Sequence, residues 1–139
     1  MPVLALTFHH LGLAVREPDQ AKRFLTAMGY AAEVAVYDSA QKVNLQMFRS
    51  QMMPDIELIW SGTESSPIDN IVSKHGAAIY HACYLCHNRR AALAQMKNLG
   101  LRVVELSPPT PAVLFGGKTV SFYHVSGFGI IEVIDVAAG

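Results

Sequence analysis

Apolar positions along this 139-residue chain change period several times, and each change marks a predicted element. Phe8 to Val15 is apolar and β-branched enough for a strand. Pro18-Asp19 then opens a helix in which Ala21, Phe24, Leu25 and Met28 recur at helical spacing and Gly29 supplies the stop. Ala31 to Tyr37, Val43 to Phe48 and Ile56 to Trp60 read as strands, separated by Asp38-Ser39 and by Met53-Pro54-Asp55. A polar stretch from Ser61 follows, with a short helix around Pro67-Ile-Asp-Asn-Ile-Val. The order then recurs: strand Ala78 to Leu85, helix Arg89 to Leu99, and strands at Leu101 to Glu105, Thr119 to His124 and Gly129 to Ile134. Pro108-Pro-Thr-Pro111 and Gly116-Gly117 are expected to break the connections among these last strands.

The recurrence is in register. His10-Leu-Gly-Leu-Ala-Val and His81-Ala-Cys-Tyr-Leu-Cys begin 71 residues apart, and Ala21/Ala92 and Gly29/Gly100 keep the same offset. A strand, a helix and a terminating glycine repeated in phase describe a duplicated module. The expectation is an α+β protein of two βαβββ modules in tandem. Residues 1–139 form one domain, with modules at about 7–61 and 77–135 joined by a linker at 62–76.

Each half ends in an apolar strand holding one glutamate: Asp55-Ile-Glu57-Leu-Ile-Trp60 and Ile130-Ile-Glu132-Val-Ile134, offset by 75. A glutamate buried among such neighbours without a partner costs several kcal/mol. A cation shared with two imidazoles removes that cost, so His10, Glu57, His81 and Glu132 are read as one metal site. Strand alternation sets Gly12 and Ala14 beside His10, and Cys83 and Leu85 beside His81. The same alternation sends His9 to the face opposite His10, as a structural or interfacial residue. Asn44 and Gln46 are placed on the outer side of their sheet. Lys118, after Gly116-Gly117, and His124, after Phe122, are weaker candidates for substrate contact.

Composition narrows the function classes. With 51% hydrophobic residues the chain supports a substantial core. Eleven basic residues balance eleven acidic ones and no basic run exceeds Arg89-Arg90, which argues against nucleic acid and anionic membranes. The N-terminus lacks a charged leader and no apolar run approaches a membrane span, so the expected location is cytoplasmic. Cys83 and Cys86, three apart in a strand, point to opposite faces and are read as buried thiols of a reducing compartment. Exposed sheet edges make a homodimer the default expectation.

The opening His9-His10-Leu-Gly-Leu-Ala-Val, the linker Ser66-Pro67-Ile68 with Lys74-His75-Gly76, Ile79 and His81, and the ending Phe122-Tyr-His124 with Ile130-Ile-Glu132-Val resemble the vicinal oxygen chelate superfamily. This superfamily of glyoxalase, bleomycin-resistance and dioxygenase proteins is matched over about residues 7 to 135, and the nearest resemblance is to methylmalonyl-CoA epimerase-like members. The resemblance implies a curved mixed sheet around a metal-binding cleft and one divalent ion (Zn, Ni, Co, Mn or Fe) on the four ligands. It implies a small-molecule substrate and an epimerase or isomerase that abstracts an α-proton and stabilises the enolate on the metal, acting on a carbonyl-activated carbon acid such as an acyl-CoA. Glu132 and Glu57 would then also serve as the catalytic carboxylates. Three positions depart from those epimerases. His9 replaces an acidic residue, Glu57 replaces a glutamine and is the choice typical of glyoxalase I, and Leu45 stands where a catalytic glutamate is proposed. The alternatives are a glyoxalase I-type lactoylglutathione lyase, another metal-dependent reaction such as that of the extradiol dioxygenases, and a non-catalytic small-molecule binding or resistance protein of the same fold.

Overall fold

A computed structural model describes residues 3–136 of the chain. The first two residues of the N-terminal segment and the last three of the expected 1–139 domain lie outside the described residues. The architecture is mixed α+β, with three α-helices, one 3-10 turn and nine strands among the described residues. The chain divides into two compact units. One spans His10–Tyr80; the other joins the N-terminal segment through His9 to the chain from His81 onward.

In the His10–Tyr80 unit, β1 (Leu6–Ala14, of which this unit holds the part from His10) leads into α1 (Pro18–Ala27). Pro18 occupies the first turn, where its missing N–H costs nothing. Gly29 ends the helix at φ 98°, and the Tyr30 N–H returns to the Leu25 carbonyl at 3.0 Å. The strands β2 (Ala31–Ala32), β3 (Val36–Asp38), β4 (Val43–Arg49) and β5 (Ile56–Ser61) follow. The sheet order is β2-β4-β5-β1, with β3 also paired to β4. β1 and β5 run parallel, and α1 covers one face of the sheet through Leu25, packed with Phe48, Ile56 and Leu58.

The single strand expected over Ala31 to Tyr37 is two short ones. Between them Glu33 is held from three sides: its N–H reaches the Met47 carbonyl, its carbonyl accepts from Gln46 Nε2, and its carboxylate pairs with Arg49. Val34, next in the chain, faces solvent. These contacts bend the segment outward and end the alternation.

α2 (Asp69–His75) lies in the expected linker. No side chain caps it at Ile68; Asp69 ties its start instead, accepting from the Ser61 hydroxyl and from the Ser66 N–H at 2.9 Å. The Ser61 hydrogen bond leads in holding the Asp69 carboxyl below its ordinary range.

The second unit repeats the plan. β6 (Ala78–Cys86, of which this unit holds the part from His81) leads into α3 (Arg89–Asn98), capped by Asn88 Oδ1 on the Ala91 N–H at 3.0 Å. Gly100 ends α3 at φ 79°, and the Leu101 N–H returns to the Met96 carbonyl, the same closure as in α1. β7 (Val103–Pro111), a 3-10 turn (Val113–Phe115), β8 (Thr119–Val125) and β9 (Gly129–Asp135) complete it, in sheet order β6-β9-β8-β7. β7 runs through Pro108, Pro109 and Pro111, where a break was expected. As the outermost strand of this order it tolerates missing donors on its free side, and its register against β8 shifts twice, after Glu105 and after Ser107.

Tyr123, buried at 1% exposure, ties α3 to the sheet. Its hydroxyl accepts from Arg89 at 3.2 Å and donates to the fully buried Ser121 at 2.9 Å. This hydrogen bond is the main cause of the raised Arg89 pKa.

Two predictions follow from these ties. Tyr123→Phe leaves the buried Ser121 hydroxyl without its donor, so urea unfolding should show a loss of about 1–3 kcal/mol; an unchanged midpoint would show that Ser121 finds another partner. Asp69, whose pKa is lowered on folding, stabilises above its unfolded value and loses that contribution as pH falls through its folded value. The melting temperature of Asp69→Asn should therefore lie below wild type at pH 7 and approach it below about pH 4. A gap independent of pH would remove the carboxylate from this role.

Candidate metal centre

Ladder register decides which side chains share a face. In the His10–Tyr80 unit, Leu11 and Leu13 pack with Leu25 and Leu58 on the helix side. Strand alternation therefore turns His10, Gly12 and Ala14 to the other face, together with Glu57, which is the register partner of Gly12. Met47 lies across from Glu57 on β4. His10 is fully buried and Glu57 nearly so, with His10 Nε2 3.5 Å from Glu57 Oε1.

The second unit builds the same arrangement. Cys86, Tyr123, Ile131 and Val133 pack against Ala92 and Met96 of α3. His81, Cys83 and Glu132 face the other way, with Cys83 the register partner of Glu132 on β9 and Phe122 its partner on β8. His81 Nε2 stands 3.2 Å from Glu132 Oε1, both residues at 3% exposure. The Phe122 ring meets His81 edge-on at 5.4 Å. In both units the histidine sits two positions before the residue that pairs with the glutamate.

This geometry fits a divalent cation. Two donors bonded to one ion at about 2.1 Å and roughly 100–110° apart lie about 3.2–3.5 Å from each other, the separation seen in each pair. An imidazole and a carboxylate, as each pair offers, suit borderline divalent metals.

Other expected residues fall differently. Leu45 is buried on the Glu57 side of β4, opposite Ile59, and its counterpart in the second unit is the buried Val120, opposite Ile134. Neither position offers a base. Asn44 and Gln46 alternate away from Glu57, as expected. Lys118 and His124 are both exposed. They lie at opposite ends of β8, about 20 Å apart along the strand, so they cannot meet one small group together.

Leu6 packs into the cluster on the α3 side and Phe8 meets Tyr84 there at 6.1 Å, which turns His9 to the face of Cys83 and Glu132. Its ring stands edge-on to Phe115 of the 3-10 turn at 5.6 Å.

Comparison with known proteins now has a geometry to meet. The fold matches methylmalonyl-CoA epimerase from Mycobacterium tuberculosis at a TM-score of 0.79 and 19% identity, covering 100% of this chain and 93% of that one. A hypothetical protein from Bacillus halodurans matches at 0.78 and 20%, covering 97% of each chain. A variant of Streptomyces coelicolor methylmalonyl-CoA epimerase, in complex with 2-nitronate-propionyl-CoA, matches at 0.74 and 21%, covering 96% of this chain and 100% of that one. Among curated protein sequences none matches significantly. The family model for the Glyoxalase/Bleomycin resistance protein/Dioxygenase superfamily matches residues 9–122, most of the chain, and the chain belongs to that superfamily.

Proposed function

We propose that His10, Glu57, His81 and Glu132 hold one divalent ion in a metal-dependent epimerase or isomerase acting on a carbonyl-activated carbon acid, with an acyl-CoA such as methylmalonyl-CoA as the leading substrate. The observation that carries this reading is the pair of equivalent, buried His–Glu couples at ligand spacing, one in each half of a duplicated chain. The resemblance in fold to methylmalonyl-CoA epimerases supports the choice of reaction. When bound, the ion supplies Lewis-acid stabilisation to the enolate oxygen.

Epimerisation needs a proton removed from one side of a carbon and returned on the other. With Leu45 and Val120 apolar, the bases fall to Glu57 and Glu132. One glutamate would take the α-proton on a carboxylate oxygen, and the other, protonated, would return a proton to the opposite face of the carbon. His10 and His81 would offer Nε2 to the ion beside the oxygens of their glutamates. Phe122 excludes water beside His81 and strengthens the electrostatics there.

Glu57 favours a second reading, a glyoxalase I-type lyase, because both half-sites then carry the same carboxylate. The non-catalytic binding reading has no comparable support in a buried ligand quartet. No helix among the described residues is long and apolar enough to cross a membrane. Two buried cysteine thiols support a reducing, cytoplasmic setting, and the outermost position of β7 in its sheet order supports pairing into a homodimer.

Metal analysis of the purified protein should give about one divalent ion per chain, with affinity sharply lowered in His10→Ala and Glu132→Gln. A protein that stays metal-free after incubation with Co, Ni, Zn and Mn would end the enzyme reading. In D2O, the loaded protein should wash deuterium into the α-position of methylmalonyl-CoA, and Glu132→Gln should slow that exchange by roughly 10²–10⁴-fold. Turnover of the hemithioacetal of glutathione and methylglyoxal, without exchange into acyl-CoA, would establish the lyase instead.

A further inference from the structure

Leu93 and Lys97 lie one turn apart on α3 and, with Leu101 beyond the helix closure, face Val103 and Glu105 of β7 across a groove of about 570 Å³. That volume is in the size range of small-molecule sites. The floor is apolar, formed by the half-buried Leu93 and Val103 and the buried Tyr123. It lies on the α3 side of the sheet, the face opposite His81 and Glu132. Charge along the groove is uneven. At one end Arg89 is engaged by the Tyr123 hydroxyl and by Asp135, and Glu105 lies within its electrostatic reach. At the other end stand Lys97 and Arg102, both exposed, and neither side chain has a hydrogen bond or ion pair among the described residues. They are not spent on the helix terminus, because the N–H groups of Leu99, Gly100 and Leu101 already close the carbonyls of Gln95, Met96 and Lys97. The first repeat carries Thr26 and Ala31 at the matching places, 71 residues earlier, so the two cations belong to the second repeat alone.

We propose that this groove binds a small apolar monocarboxylic acid, its hydrocarbon body on Leu93, Val103 and Tyr123 and its carboxylate between Lys97 and Arg102. The hydrocarbon body leaves water for the apolar floor, and the carboxylate meets two cations that no protein group balances. Glu105 repels a second acid group on the ligand, which limits it to one charge and sets its direction in the groove. None of the proposed metal ligands takes part, so the site stands independently of the proposed reaction.

The test titrates octanoate into the full-length protein and follows backbone amide shifts by nuclear magnetic resonance. Saturable shifts should gather at Leu93, Lys97, Leu101 to Glu105, and Tyr123. Octanamide, matched in length but uncharged, should bind wild type at least about threefold more weakly. Lys97→Glu combined with Arg102→Glu, both at exposed positions, should keep the wild-type spectrum elsewhere and lose about tenfold in octanoate affinity. Glu105→Gln should gain about twofold, since it removes a like charge from the groove. Shifts that never saturate, shifts centred on His81 and Glu132 instead, equal affinity for octanamide, unchanged affinity in the double variant, or weaker binding in Glu105→Gln would overturn the proposal.

Discussion

Two carboxylates set inside apolar strands are the constraint around which each half of this chain is organised. Glu57 lies between Ile56 and Leu58, and Glu132 between Ile131 and Val133, with all four neighbours buried. Removing a carboxylate from water is costly unless a charged or hydrogen-bonding group meets it. Each glutamate meets an imidazole, and the parallel ladder between the histidine strand and the glutamate strand makes the meeting possible. Parallel neighbours need a crossover connection. α1 with the strands after it, and α3 with its own, supply that crossover. The helices therefore serve the site by bringing the glutamate strand back beside the histidine strand in the correct register.

That register is the quantity the duplication preserves. Gly12 pairs with Glu57 and Cys83 with Glu132, each two residues beyond its histidine, so both copies deliver imidazole and carboxylate with the same offset. The helix closures agree to the same degree: Tyr30 onto Leu25 and Leu101 onto Met96, each after a glycine of positive φ. A side chain beyond glycine at either closure would be forced into a backbone conformation that L-residues rarely adopt. The conserved closure fixes where each helix stops, and with it the residue at which the chain turns back toward the sheet.

This explains which parts of the structure were legible in the sequence. Helices and central strands carry their period in their own residues, and the paired glycines and histidines expose the repeat; α1, α3, β4, β5 and β9 were readable to within a residue or two at their ends. The segment from Ala31 was not, because its break depends on Glu33 being held by Met47, Gln46 and Arg49, which lie on another strand. β7 was cut short in the sequence reading because prolines argue against strands, an argument that lapses on an outermost strand.

The differences between the repeats bear on function as much as their likeness does. Around Glu57 the register partners are Gly12 and Met47; around Glu132 they are Cys83 and Phe122. The first face offers an absent side chain and a flexible thioether, and the second a thiol and a rigid ring braced against His81. Equal donors thus stand beside unequal walls in the two units, a difference of shape and not of charge.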